Sequence, residues 1–235
     1  SNKLYSGLKI RLLDFLERIL LKNAYAVSAQ TDEMKAEISK ILKVPESKVI
    51  TIINPVDKSQ IDTSVKDGVS PFDTDKINFV AVGNISPAKA YDVLIKSFIK
   101  VKEQIPNANL YILGRTKGEY AEGIVSMAKG EACIHFEGFK ENPYNYINNC
   151  NAFVLSSRME GLPNVVLEAM YLNKPVVATT CVPIINTLIN DGQNGYKAEP
   201  DNVDSLAEAM VKSLSLSGIK NSMQDNANEF KNLFK

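Results

Sequence analysis

From Ile77 onward the chain alternates two hydrophobic rhythms. The runs INFVAVG (77–83), NLYILG (109–114), ACIHFEG (132–138), NAFVLSS (151–157) and KPVVATT (174–180) are almost continuously apolar. That is the pattern of strands buried on both faces, not of strands with one face in water. Between them lie longer stretches with apolar residues at helical spacing: 89–105, stopped by Pro106, then 117–129, a short piece at 142–149, and 160–172. A short helical stretch follows the fifth strand, then the turn NDGQNG (190–195), and helical patterns run on from Asp201. Strands and helices in strict alternation predict an α/β fold, a doubly wound parallel (Rossmann-like) sheet spanning 76–215, with a helical tail at 216–235.

The first quarter of the chain is less regular. KIRLLDFLERILL (9–21) has helical spacing, AYAVSAQ reads as a strand, and Thr31 is placed to cap a helix whose first turn holds Asp32 and Glu33. VITIINPVD reads as a second strand closed by Asn54-Pro55, and residues 57–75 are polar with Gly, Ser and Pro, the composition of an interdomain linker. The expected organisation is residues 1–60 as the end of a preceding domain, a linker at 61–75, and the doubly wound domain after it. Ser1 stands where an initiator methionine would be, so the chain is expected to begin partway through a longer protein.

Composition removes several function classes. Basic and acidic residues balance at 27 each, which gives no electrostatic footprint for a nucleic-acid partner. Cys133, Cys150 and Cys181 sit in or beside apolar runs without metal-ligand spacing, so they are expected as buried free thiols of a reducing compartment. His135 is the only histidine; it falls mid-strand, is read as a satisfied core residue, and leaves no set of metal ligands. No window has the apolar length of a membrane span and no secretory signal is recognisable, so a cytoplasmic protein is expected. Lys9, Arg11 and Arg18 in the first helical pattern would suit a membrane surface, the inner face included; Asp14 and Glu17 interrupt that basic face and favour an interdomain helix.

Candidate chemistry gathers where strands end. In doubly wound sheets ligands bind outside the carboxyl ends of the strands, and here those ends carry Gly83-Asn84 through Lys89, Gly114-Arg115, Gly138-Phe139, and Ser156 through Asn164. In SSRMEGLPNVVLEAM (156–170), Pro163 suits the first turn of a helix, whose open N–H groups and positive end form an anion site, and Gly161 lets backbone approach a ligand. Glu160 lies on the loop and Glu168 in the helix's second turn, where a carboxylate can accept from two neighbouring hydroxyls. The competing reading is structural: Ser157-x-x-Glu160 matches a capping box and Glu168 a solvated helix position, although Gly161 and Pro163 would then fall in the first turns. Asp73-Thr74-Asp75 matches a D-x-D metal motif but precedes a strand, and Asn84-Ile85-Ser86 fits a glycosylation acceptor with no sign of secretion.

Taken together, FVAVGNISPAKAYDVLIKSF, LYILG, FEGFKENPYNYINNCNAFVLSSRMEGLPNVVLEAMYLNKPVVATTC and DGQNGYKAEP occur in an order that resembles the donor-binding half of family 4 glycosyltransferases, which have the GT-B fold. The resemblance covers 77–210 and is nearest to the branch that uses UDP-sugars to build bacterial surface glycans. It implies transfer of a sugar from a nucleotide-diphosphate donor to a glycan or lipid-linked acceptor, with retention and without an obligatory metal or other cofactor. It also implies roles. Glu168 would hold the ribose hydroxyls. Glu160, with the backbone of Gly161, Leu162, Pro163, Asn164 and Val165, would meet the donor sugar and diphosphate. Lys89, beside Gly83, would stabilise the departing diphosphate, and Arg115, Phe139 and Lys140 would frame the base. The acceptor would be bound by a first domain of which this chain holds only the end, so the chain alone is expected to be inactive.

Three positions depart from the family pattern: Asn84 stands where an arginine is usual, Ala90 where a glycine follows the lysine, and Thr187 where a glutamate is expected. Two rivals share the fold: a GT-B nucleotide-sugar epimerase, and a non-catalytic nucleotide-binding or interaction domain whose nucleotide affinity would not depend on Glu168.

Overall fold

The computed structural model describes residues 16, 19–52, 56–66, 68–73 and 75–219. The helical pattern at 9–21 and the tail from 220 lie largely or wholly outside the described residues. The chain divides into two units, 1–54 and 55–235.

In the first unit, β1 (Val27–Ala29) pairs in parallel with β2 (Val49–Thr51), and α1 (Asp32–Ile41) connects them. Thr31 caps α1 as its residue type dictates, its hydroxyl accepting from the Met34 N–H at 3.2 Å. The core here is small, built from Ala29, Val44 and Val49.

The second unit is the doubly wound α/β domain. Six strands, β3 (Ile77–Val82), β4 (Ala108–Leu113), β5 (Ile134–Gly138), β6 (Ala152–Leu155), β7 (Val176–Thr179) and β8 (Gly195–Ala198), form one all-parallel sheet in the order β5-β4-β3-β6-β7-β8. The chain builds outward from β3 to β5, crosses back to β6 beside β3, and continues the other way. That reversal opens a crevice at the carboxyl ends of β3 and β6. The helices between strands are α3 (Tyr91–Gln104), α4 (Glu119–Met127), α5 (Tyr144–Asn149), α6 (Asn164–Tyr171) and α7 (Ile184–Leu188), with α8 (Val203–Ser213) after β8.

Side-chain alternation explains why the strands look continuously apolar. Phe79, Ala81, Leu110, Ile112, Ala152 and Val154 face one core with α3, α4 and α8, while Val80, Leu113, Phe153, Leu155, Val176 and Ala178 face a second with α5, α6 and α7. Every position of the central strands β6 and β7 is therefore buried in one core or the other, while the edge strands β5 and β8 are only partly covered.

The structure departs from the sequence reading in places. The stretch expected as linker contains α2 (Lys58–Lys66), which belongs to the second unit. Asp57 starts it by accepting from the Gln60 N–H at 2.9 Å, and Ile61 is buried. A mean-polar segment hid one apolar anchor. His135 is not in the core: it lies on the edge strand β5, half-buried, stacked on Tyr111 with ring centroids 4.4 Å apart. Of the three free cysteines only Cys150 is buried, because Cys133 and Cys181 fall at strand ends where the packing opens. Of the D-x-D motif, Asp73 and Asp75 precede β3, and Thr74 lies outside the described residues.

Candidate functional site

The loops at the carboxyl edge are stitched in sequence across the sheet. The Gly83 N–H donates to Leu113 O, the Gly114 N–H to Gly138 O, and the Ile85 N–H to Arg115 O, at 2.8, 2.8 and 3.1 Å. Gly114 has a packing reason. A Cβ there would lie 1.9 Å from the Gly83 carbonyl oxygen, so no other residue lets the β3 and β4 loops approach so closely. The Asn84 side chain joins the stitching, its carbonyl accepting from the Arg115 N–H at 3.1 Å. The residue found in place of the usual arginine thus acts as a loop tie.

Lys89 ends a 3-10 turn (Pro87–Lys89), and the next residue, Ala90, has φ +51° and ψ +43°. A left-handed residue at this junction suits glycine, the residue that the resemblance implies there. Ala90 keeps a fully buried methyl group in a backbone region that costs an L-residue about 1–2 kcal/mol. The sharp junction sends the Lys89 side chain back over Gly83 and toward β6, where Nζ meets Glu160 Oε1 at 2.7 Å. The pair is mostly sheltered, with 25% of the lysine and 12% of the glutamate side chain exposed.

Glu160 is set from its own side as well. Ser157, fully buried, donates to the same Oε1 at 2.6 Å, and Ser157 O accepts from buried Thr179. The capping-box reading of Ser157 and Glu160 fails, because no helix begins there: α6 starts only at Asn164 with Pro163 before it. The helix N-terminus opens at the crevice, as Pro163 predicts, with one correction. Asn164 N–H is taken by Leu162 O at 2.9 Å, and Pro163 has none to give, which narrows the backbone donors expected across 161–164.

Glu168, in the second turn of α6, is half-buried. Burial raises its carboxyl pKa, and a hydrogen bond from Tyr144 on α5 works in the opposite direction. On the β4–β5 side, the Arg115 guanidinium lies 5.1 Å from the centre of the Phe139 ring, which is 64% exposed. The Lys140 side chain turns to Glu137 at 3.0 Å and lies 5.6 Å from the centre of the Tyr146 ring. Thr187 is exposed on α7.

A family model described as glycosyl transferases group 1 matches residues 62–230. The chain belongs to that family. Among curated proteins, it is 30% identical over 181 residues to an uncharacterized glycosyltransferase of Methanocaldococcus jannaschii, covering 74% of this chain and 44% of that one. It is 24% identical over 230 residues to a capsular polysaccharide biosynthesis glycosyltransferase of Staphylococcus aureus, covering 94% of this chain and 60% of the other. The chain thus spans about half the length of these relatives. Its fold matches that of the Anabaena protein HepE solved with UDP and glucose, at a TM-score of 0.73 and 18% identity, over 92% of this chain and 62% of that one.

Several residues at the crevice were given no role by the sequence reading, although Ser156 and Arg158 lie in the run it singled out. Tyr91 is buried and donates to Gly83 O at 2.8 Å; burial, with the nearby Glu160 charge, pushes its phenol far above the usual range. Ser156 donates to Lys89 O at 2.8 Å. Arg158 and Asp92 pair across the β3 and β6 loops at 2.7 Å. The available signal was a charged residue two positions before Glu160, between a buried strand and a glycine loop. Its partner, 66 residues away, has no local signature.

Proposed function

We propose that this chain is the nucleotide-sugar-binding part of a glycosyltransferase that takes a UDP-sugar and transfers the sugar, with retention, to a glycan or lipid-linked acceptor. The observation that carries the proposal is the Lys89–Glu160 pair at the switch point of the sheet, beside the N-terminus of α6 and with Glu168 further along the same helix. In this reading Glu168 accepts from the two ribose hydroxyls and the α6 N-terminus faces the diphosphate. Lys89 Nζ lies against the diphosphate. Glu160 Oε1 holds Lys89 and Ser157, and its second oxygen meets a donor-sugar hydroxyl.

The chemistry follows from where charge develops. The bond between the anomeric carbon and the diphosphate oxygen breaks, the acceptor oxygen bonds to the same face of that carbon, and the acceptor's hydroxyl proton passes to the departing diphosphate oxygen. Negative charge grows on the departing diphosphate, and a cation already fixed in a sheltered crevice stabilises it without reorganising. Lys89 supplies that charge, so transfer is proposed to need no metal. The reading is supported by family membership and by a polysaccharide-building relative. The acceptor is assigned to the remainder of the longer protein.

The test is titration of this chain, and of Glu168→Ala, with UDP, GDP, ADP and TDP, followed by thermal shift. The expected result is a rise in Tm with UDP in excess of the others, absent in the variant. A UDP response that survives Glu168→Ala would overturn the ribose assignment and favour the non-catalytic binding domain.

A further inference from the structure

The Lys89–Glu160 pair spans two loops with no regular structure of their own, and a short 3-10 turn ending in left-handed Ala90 does not by itself fix where a lysine points. Besides the pair itself, two side chains cross between the loops: Ser156, whose hydroxyl donates to Lys89 O at 2.8 Å, and Arg158, which makes the larger set of contacts. From the β6 loop, the Arg158 N–H donates to Ala88 O at 2.7 Å, and its Nη1 donates to Pro87 O at 2.9 Å. The same guanidinium grips Asp92, in the first turn of α3, through two parallel bonds, Nη1 to Oδ1 at 2.9 Å and Nη2 to Oδ2 at 2.7 Å. Its Nε reaches Asp201, in the loop after β8, at 2.6 Å. Asp92 is held in turn by the Tyr120 hydroxyl at 3.0 Å.

Arg158 therefore contacts residues on both sides of Lys89 while sitting two residues from Glu160. The α3 helix is rigid and its first turn cannot drift from β6 while the fork is closed. We infer that Arg158 is a positioning residue: with Asp92 as its counterpart, it locks the 87–92 segment to the 156–160 loop and so sets Lys89 opposite Glu160. Nothing in its geometry brings it to the ribose-binding end of α6. The effect depends on planar two-point bonding, which an ammonium group cannot reproduce, so charge alone is insufficient.

Two measurements on the chain test this. The first needs no ligand: amide hydrogen exchange of Arg158→Gln, Arg158→Lys and Asp92→Asn. Each variant is expected to exchange about tenfold faster at Lys89, Ala90 and Val93, with Val166 in α6 and Leu172 at its C-cap unchanged. Exchange that stays at the native rate at those three amides, or that rises equally in α6, overturns the inference. The second rests on the donor-site reading above and compares UDP with uridine. UDP affinity is expected to fall about tenfold in the variants, as outer-layer partners commonly cost, while uridine binds as before. Equal losses for both ligands, or none, would overturn the inference. If the unaltered chain binds no nucleotide, the donor-site reading fails, and the exchange result still decides the role of Arg158.

Discussion

The two sides of the crevice hold their charges in different ways. On the β3–β6 side, Glu160, Arg158 and Asp92 are each gripped by at least two partners, Lys89 is held by Glu160 in a mostly sheltered pair, and Ser157 and Thr179 beneath them are fully buried. On the β4–β5 side, Arg115 lies over an exposed Phe139, and Lys140 answers only to Glu137 and a tyrosine ring. A sheltered charge acts through a lower effective dielectric and is held without water's help, whereas an exposed contact contributes little and yields easily. The first side is built to stabilise charge in one place. In the proposed reading the second receives the flat base of the nucleotide, whose position is less demanding.

The comparison breaks most sharply if the loops are forced apart. Gly114→Ala puts a methyl carbon 1.9 Å from Gly83 O, so the β3 loop has to move. Unfolding free energy is expected to drop by about 2–4 kcal/mol, read from urea denaturation, with UDP binding lost alongside. A variant as stable as the parent would show the close approach to be incidental.

A smaller effect distinguishes Glu168 from its neighbours by pH. Its folded-state pKa is raised by burial, so its stability contribution is fully present below the unfolded carboxylate pKa and is lost as pH rises through the raised value. Glu168→Gln never ionises and escapes that loss. Its ligand-free Tm is expected to gain on the parent as pH climbs from acid toward neutral, while its UDP affinity falls and no longer weakens toward acid pH. Parallel Tm curves for the two proteins would remove the ionised carboxylate from the account.

The smallest effect sharpens the contrast. Phe139→Ala removes an exposed cation–π contact valued at about 0.5–1 kcal/mol, so UDP affinity should fall only about two- to fivefold. Stability should stay within about 0.5 kcal/mol of the parent. Calorimetric titration and urea denaturation, run together, would check both. A loss of hundredfold or more would put the decisive contacts on the wrong side of the crevice.

What could be read in advance followed local rules. Thr31 as a cap, Pro163 at a helix entrance, Pro106 as a stop and the apolar strands all act within a few residues, and each emerged where residue type and spacing place it. Where local averages mislead, the reading slipped: α2 hides in a polar stretch because its one buried residue, Ile61, leaves no apolar period and its other ties are polar, Asp62 to Tyr171 and Ser64 O to Asn142, and His135 reads as core because a strand pattern does not announce that the strand is an edge.

Through its alternating rhythms the sequence by itself determined the α/β class and the glycine, lysine and glutamate loops at the strand ends, since periodicity and turn chemistry are short-range. Strand order belongs to tertiary structure. Only the return of the chain to place β6 beside β3 brings Lys89 to Glu160 and Arg158 to Asp92, across separations of 71 and 66 residues. Ion pairs of that kind leave no periodic trace, because each partner looks like an ordinary surface charge until the sheet closes around it.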